Sequence, residues 1–347
     1  MAVSIKDIAR LAGVSHSTVS RALNHSPLIP ATTAERIQRI AAEKGYSASA
    51  VARSLVTRKT MAIGVVVTSI ADPFNGEVVA GIEEVANSEG YSVVLATSQA
   101  DPRREMTVVR SFRERRVDGI LVASSRLGAQ YQPLSHELEA PIVLLNNQHP
   151  SELAHSVSID NTDGGYQATA HLIALGHCDI AYIGDDSGLQ SDEERFDGFQ
   201  AAMKTAQLKV RQELVVRGDG KPAGGKKQTL ELLQLPQPPS AIFCYNDMTA
   251  LGAIDQVQAR GWQVGREVSV VGFDDLFFAA SLQPPLTTFR QPKKELGKQA
   301  IQLLLAILRG EPAERKVVLR GELVVRGSTG KPYQAIVSGK NLAAKSS

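Results

Sequence analysis

Residues 4–24 constrain this chain more than any other stretch: Ser4-Ile5-Lys6-Asp7-Ile8-Ala9-Arg10-Leu11-Ala12-Gly13-Val14-Ser15-His16-Ser17-Thr18-Val19-Ser20-Arg21-Ala22-Leu23-Asn24. Two short runs of helical periodicity flank Gly13, where the chain must turn sharply. Ser4 and Asp7 have the spacing of a capping box, and Ser15 stands where it caps the second run. Ile5, Ile8, Ala9 and Leu11 supply the apolar side of the first helix, and Val19, Ala22 and Leu23 face inward from the second. His16, Ser17, Ser20 and Arg21 are left facing outward. That pattern predicts a helix-turn-helix whose second helix enters a major groove.

Charge points the same way. Of 38 basic and 36 acidic residues, nine and three fall within 1–60, which leaves 29 and 33 for the remainder. A head of net +6 on a body of net −4 implies a small module for a polyanion and a larger one for something else. Solvated positive charge on a small helical domain is the plainer alternative.

Thr32-Thr33-Ala34-Glu35 repeats the capping-box spacing behind Pro30, and Gly45 follows the apolar stripe Ile37, Ile40, Ala41. A third helix is therefore expected to close the core of the head. Residues 47–56, rich in Ala and Ser, form a short amphipathic segment that is marginal as an isolated helix.

From Met61 the pattern alternates. Strands are expected at 62–68, 92–97, 119–123 and 142–145, with helices at 72–89, 103–116 and near 135–139. The cycle restarts after Ser156 with strands at 157–159, 180–183, 214–216, 241–244 and 268–273. Helices at 164–175, 193–205, 226–233 and 248–260 separate them. A final helix at 292–309 precedes short strands at 316–319 and 322–325. Continuous Val/Ile/Leu strands, each followed by a helix, predict two doubly wound parallel sheets with a cleft at the carboxyl ends of their strands. At 347 residues the chain has room for two or three compact units.

No apolar run reaches the length of a membrane span, and Cys178 and Cys244 set up neither a disulfide framework nor a metal-ligand spacing. A cytosolic protein is the simple expectation.

The order of several motifs resembles the lactose-repressor/galactose-repressor family of bacterial transcription regulators. The residues that carry it are Ile5-Lys6-Asp7-Ile8-Ala9, Val14-Ser15, Thr18-Val19-Ser20-Arg21-Ala22-Leu23-Asn24, and Ser49-Ala50-Val51-Ala52-Arg53-Ser54-Leu55. Val117-Asp118-Gly119-Ile120, Leu175-Gly176-His177, Asn246-Asp247-Met248-Thr249-Ala250-Leu251-Gly252, Val268-Ser269-Val270-Val271-Gly272-Phe273-Asp274-Asp275 and Pro285-Leu286-Thr287-Thr288 continue it. The resemblance covers nearly the whole chain. It implies an all-α helix-turn-helix head (1–47) and a hinge helix and linker (48–60). A periplasmic-binding-protein-like α/β body for effector binding and dimerisation (61–335) and a polar tail (336–347) follow. Within the body it implies one subdomain at about 61–158 and 291–319 and another at about 159–290 and 320–335.

The same resemblance implies that His16, Ser17 and Arg21 face base edges of a near-palindromic duplex, with Arg21 bridging guanine O6 and N7. Ser4, Thr18, Ser20, Asn24, Ala52 and Arg53 join the DNA contact. In a homodimer, two copies of Leu55 wedge into the minor groove. For an effector it implies Asp72, Phe74, Asn146, Arg195, Asn246 and Asp274 at the cleft. One aromatic face with carboxylates, amides and a guanidinium suits a monosaccharide or polyol, and Phe74 also permits a stacked purine. Many members carry an aromatic residue where this chain has Gly220, so the ligand does not transfer from a relative.

Other motifs open competing readings. Gly220-Lys221-Pro222-Ala223-Gly224-Gly225-Lys226-Lys227 has phosphate-loop spacing, but Lys227 stands where Ser or Thr would hold magnesium. It reads as a surface loop, with a nucleotide-binding protein as the alternative. Asp185-Asp186 sits in a Gly/Ser-rich stretch and reads as solvated. Asp274-Asp275 closes a buried strand, where ligand contact is more credible than acid–base work. No catalytic constellation, cofactor or metal is expected. A solute-binding module without a DNA role is the remaining alternative.

Overall fold

The computed structural model describes residues 3–23, 26–46, 59–127, 140–147 and 155–333. They divide into two compact units, one within residues 1–62 joined by 116–118, the other within 63–115 and 119–347.

In the first unit, α1 (Ile5–Ala12) opens on the expected capping box. Ser4 Oγ accepts from the Asp7 amide at 3.4 Å, and the Asp7 carboxylate accepts from the Ser4 amide at 3.0 Å. Gly13 adopts φ 65, and the Val14 amide reaches back to the Ala9 carbonyl at 3.1 Å, which closes the helix end and sets the turn. Helix α2 (His16–Leu23) is capped by Ser15, whose Oγ accepts from the Thr18 amide at 3.1 Å. Helix α3 (Ala31–Glu43) differs from expectation at its start. The Pro30 carbonyl accepts from the amides of Thr33 and Ala34, so Thr32 lies inside the first turn rather than capping it.

Ile8, Ala9, Ala12, Val19, Ala22 and Ile37 form the core of the head. Leu11 is 52% exposed, contrary to its expected place on the apolar side. The 3.6-residue period starting at Ile5 runs through Ile8, Ala9 and Ala12 and leaves Leu11 off the stripe. The proposed hinge helix, with Ala52, Arg53 and Leu55, and also Asn24, lie outside the described residues.

The second unit begins with β1 (Ala62–Val67), α4 (Pro73–Ser88), β2 (Ser92–Thr97), α5 (Pro102–Glu114), β3 (Gly119–Ala123), β4 (Ile142–Leu145) and β5 (His155–Ile159). It continues with α6 (Asn161–Ala174), β6 (Ile180–Asp185), α7 (Gln190–Thr205), β7 (Val215–Gly218), α8 (Pro222–Leu233), β8 (Ala241–Cys244), α9 (Asp247–Ala259) and β9 (Ser269–Asp274). It ends with β10 (Thr287–Arg290), α10 (Lys293–Arg309), β11 (Lys316–Leu319) and β12 (Glu322–Val324). The helix expected near 135–139 lies outside the described residues.

Two six-stranded sheets result, ordered β11-β5-β4-β3-β1-β2 and β12-β10-β9-β8-β6-β7. Parallel pairing dominates, for example β1 with β3 and β8 with β9, while β12 runs antiparallel to β10. The fold class is therefore the expected one: a helical head and an α/β body with two doubly wound sheets.

Three local expectations need correction. The strand after Ser156 does not open a second sheet. It pairs with β4 and β11, so the chain leaves the first sheet only after Ile159. Leu214 lies in a 3₁₀ turn, and β7 starts at Val215. The glycine-rich segment is helical from Pro222, because proline's fixed φ and missing N–H suit the first turn of α8.

Its glycines serve packing. A Cβ on Gly225 would strike the Thr249 carbonyl of α9, and one on Gly252 of α9 would strike the Pro222 carbonyl of α8. The same reciprocity joins Gly165 of α6 with Gly198 of α7, and Gly81 of α4 with Gly297 of α10. Each helix pair approaches closely because both partners lack a side chain at the crossing.

Candidate nucleic-acid interface and effector cavity

In the head, α2 presents His16, Ser17 and Arg21 as exposed side chains, while Thr18 and Ser20 are half-buried. The Ser15 hydroxyl lies 2.7 Å from Ser17 Oγ and 2.9 Å from Thr18 Oγ1, which orders the N-terminal turn. Ser4 is engaged locally: its hydroxyl donates to Asp7 at 2.6 Å, and this bond holds the Asp7 carboxyl below its usual range. Arg10 pairs with the same carboxylate at 3.0 Å. The head thus offers His16, Ser17 and Arg21 on one short, well-capped helix.

In the body, a cavity of about 610 Å³ opens at the carboxyl ends of strands from both sheets. Asp72, Phe74, Asn146, Arg195, Asn246 and Asp274 all line it. Asp72 caps α4, its carboxylate accepting from the Phe74 amide at 3.0 Å, which places Phe74 in the first turn facing the cavity. Burial raises the Asp72 pKa. Asn75 braces this wall through Thr68 Oγ1 at 3.1 Å and the Ser69 carbonyl at 2.9 Å. Asn146 follows β4 at φ 44, and its Oδ1 accepts from the Ile159 amide at 3.3 Å.

Arg195 projects from α7 and is 5% exposed. Its Nε donates to Asn161 Oδ1 at 3.0 Å, and its Nη1 to the Tyr245 carbonyl at 2.7 Å. The guanidinium lies 3.7 Å from the Phe273 ring centroid and 4.6 Å from that of Tyr245. Asn246 caps α9, accepting from the Thr249 amide at 2.8 Å, while its Nδ2 donates to the Gly220 carbonyl at 3.0 Å. Most of that amide's bonding is therefore spent inside the protein.

Asp274 is 7% exposed and accepts from Gln291 Nε2 at 2.5 Å. Burial pushes its carboxyl up to about 7, against the pull of Arg195 and Lys293. Behind it, Asp247 accepts from Thr288 Oγ1 at 2.6 Å and the Leu276 amide at 2.7 Å, tying together the segment that carries Asp274.

Several cavity residues escaped the sequence reading: Ser191, Tyr245, Gln291 and above all Asp185. Asp185 is not a solvated loop residue. It ends β6 and is 5% exposed. The strand-end rule that selects Asp274 applies equally to Asp185, which follows the apolar run beginning at Ile180.

The phosphate-loop alternative finds no support in this geometry. Asp219 Oδ1 already accepts from the amides of Lys221 at 3.0 Å and Gly224 at 3.2 Å, and Pro222 has no N–H. His177 is a packing residue: Nδ1 lies 2.9 Å from Ser240 Oγ, and Nε2 lies 2.8 Å from the Gly330 carbonyl. Among the described residues, no cluster could hold a metal ion, and no helix is long and apolar enough to cross a membrane.

Residues 4–49 match the family model for bacterial regulatory proteins of the lacI family, and residues 169–329 match that for a periplasmic binding protein-like domain. The HTH-type transcriptional repressor PurR of Aliivibrio fischeri is 36% identical over 329 residues, covering 94% of this chain and 98% of that protein. The chain belongs to the lacI family. As a lacI-family protein it is a DNA-binding transcriptional repressor. Two solved structures are similar along the length of the chain. The lac repressor dimer bound to operator and the anti-inducer ONPF has a TM-score of 0.86 at 29% identity, covering 95% of this chain and 100% of that one. A complex of the transcriptional regulator CelR with cellobiose has a TM-score of 0.72 at 31% identity, covering 94% and 99%.

Proposed function

We propose that this repressor acts in the cytoplasm as a homodimer on a near-palindromic operator and is controlled by a carbohydrate, a sugar or polyol, bound in the body cavity. In this reading residues 1–47 are the DNA-binding head, 48–60 the hinge and 61–335 the effector and dimerisation body. His16, Ser17 and Arg21 read bases. Ser4, Thr18, Ser20, Asn24, Ala52 and Arg53 position the duplex, and Leu55 enters the minor groove. Asp72, Phe74, Asn146, Arg195, Asn246 and Asp274 hold the effector.

The observation that carries the effector reading is the convergence of these six residues on one cavity. Carboxylates, amides and a guanidinium supply acceptors and donors for several hydroxyls, while Phe74 offers one apolar face. An effector that binds the two arrangements of the body unequally shifts their populations, and with them operator affinity.

The test is a fluorescence-anisotropy titration on operator selected in vitro. Affinity should fall steeply with added salt as counterions are released. Arg21→Ala should cost about 1–3 kcal/mol and relax base preference at one position per half-site. An equal loss on all sequences would remove Arg21 from base reading. Calorimetry with sugars and polyols on wild type and Asp274→Ala tests the cavity, and unchanged affinity in the variant would remove Asp274 from the site.

A further inference from the structure

Lys293 opens α10 with its ammonium inside the protein, the side chain only 3% exposed. An ammonium carries three N–H donors, and burying it is costly unless each finds an acceptor. Here all three do. Nζ donates to the Asp274 carbonyl at 2.6 Å and to the Asp275 carbonyl at 2.8 Å, and it pairs with the Glu77 carboxylate at 3.4 Å.

These partners belong to both sheets of the body. Helix α10 packs on β3, β4 and β5 of the first sheet and crosses α4 closely at Gly81 and Gly297. Lys293 and Glu77 therefore stand on one packed helix pair. Asp72 caps α4, Phe74 lies in its first turn, and Glu77 follows one turn further on. Asp274, by contrast, ends β9 of the second sheet, and Asp275 follows it. The ammonium thus joins the helices of the first sheet to a strand end of the second. Lys293 is not among the described residues that line the effector cavity, whereas Asp72, Phe74 and Asp274 are.

The strand end needs such support. Asp274 holds φ 122 and Asp275 φ 51, two consecutive residues at positive φ with no glycine to ease them. Backbone of this kind persists only where its surroundings over-determine it. Thr288 and Asp247 accept from the amides of Asp275 and Leu276 at 3.3 and 2.7 Å, and Gln291 holds the Asp274 side chain. Lys293 supplies what these do not, a fixed donor for both carbonyls. Fixing the two peptide planes fixes the direction in which the Asp274 side chain leaves the backbone.

We propose that Lys293 is a positioning residue of the effector cavity. Its ammonium pins the Asp274–Asp275 backbone so that the Asp274 carboxylate meets the ligand, and through Glu77 it couples that wall to the one carrying Asp72 and Phe74. The inference rests on the cavity being the effector site.

The experiment uses the full-length protein and the variants Lys293→Met, Glu77→Gln and Asp274→Ala. Methionine keeps the length of the lysine side chain and none of its donors. Glu77 is half-exposed, so Glu77→Gln keeps the test valid if Lys293→Met does not fold. Hydrogen exchange without ligand is read at the amides of Asp275 and Leu276. Lys293→Met should raise it about tenfold or more, and Glu77→Gln about threefold, as local opening becomes easier. Among the described residues, Glu77 reaches that segment through Lys293. Calorimetry with D-ribose, D-glucose, D-galactose, maltose, cellobiose and sorbitol, well below the melting temperatures, gives the binding. Lys293→Met should weaken the sugar that binds wild type about tenfold, the scale of one charged hydrogen bond. Added to Asp274→Ala it should weaken binding little further, because residues that act as a unit are not additive. A purely structural lysine would lower the melting temperature and leave these affinities alone. If Asp274→Ala weakens a sugar while Lys293→Met and Glu77→Gln leave its affinity unchanged, or if Lys293→Met and Asp274→Ala add fully, the positioning role is refuted and the cavity stands. Unchanged exchange at Asp275 and Leu276 in both variants also refutes it. If no sugar or polyol of the panel binds wild type, the effector reading fails and the positioning role with it.

Discussion

Arg195→Met tests whether one buried guanidinium organises the cavity. Methionine retains an apolar body against Phe273 but removes the charge and both donors. Asn161 Oδ1 and the Tyr245 carbonyl, now bonded at 3.0 and 2.7 Å, each lose their partner. Leaving such acceptors unsatisfied costs about 1–3 kcal/mol apiece. Loss of the cation over Phe273, 3.7 Å from the ring centroid, is partly offset by a sulfur–aromatic contact of about 0.3–1.5 kcal/mol. The net destabilisation is about 2–5 kcal/mol, or about 4–10 °C in melting temperature for a body of this size. Removing Arg195 also removes the leading electrostatic pull that keeps the Asp274 carboxyl from rising beyond about 7. Asp274 of the variant should therefore be more fully protonated at neutral pH, and the cavity, short of both the cation and the carboxylate, should bind effector poorly, with part of that affinity returning as pH is raised. Differential scanning fluorimetry gives the melting temperature, and calorimetry at pH 6.5, 7.5 and 8.5 gives the binding. A melting temperature within 1 °C of wild type would refute the claim that this guanidinium holds the site together.

Two further predictions concern Asp274 and the helix crossings. Burial raises the folded-state pKa of Asp274 to about 7 from an ordinary value of 3.8, so between those limits the folded state holds the extra proton and stability falls as pH rises. Asp274→Asn should remove that slope, and its melting temperature relative to wild type should climb from pH 4.5 to pH 8; a constant difference would contradict the raised pKa. Gly225→Ala forces a methyl into the Thr249 carbonyl and should cost about 1–3 kcal/mol, whereas Gly76→Ala on α4 meets nothing within 4 Å and should be stabilising by about 0.4–1 kcal/mol. Urea melts of the two variants separate close packing from a general effect of glycine replacement.

Local physics made much of this protein legible from its residues. Caps and αL turns involve atoms a few positions apart, so Ser4, Asp7, Gly13 and Ser15 announced the helix-turn-helix directly. Fully buried strands read as continuous apolar runs because both faces are covered, so β3, β4 and β8 matched their expected limits. Asp274 was visible as a cavity residue because it terminates such a run, and Asp72, Arg195 and Asn246 were visible through the family resemblance.

What escaped depends on partners distant in sequence. The pattern 157–159 marks a strand but not its sheet; pairing with β4 and with β11, which lies far along the chain, made it part of the first. The glycine-rich stretch carries the spacing of a phosphate loop, and only the approach of α9 shows that Gly225 makes room for a carbonyl instead. Asp185 has polar neighbours in sequence, which signal solvent, but its place on the sheet buries it beside Gly220. Periodicity and capping are set within one or two turns of chain, so the sequence alone determined the elements, their order and the outward face of α2. Burial, strand neighbours and the side chains that share a cavity depend on surfaces brought together from across the chain, so those were decided only by the tertiary structure.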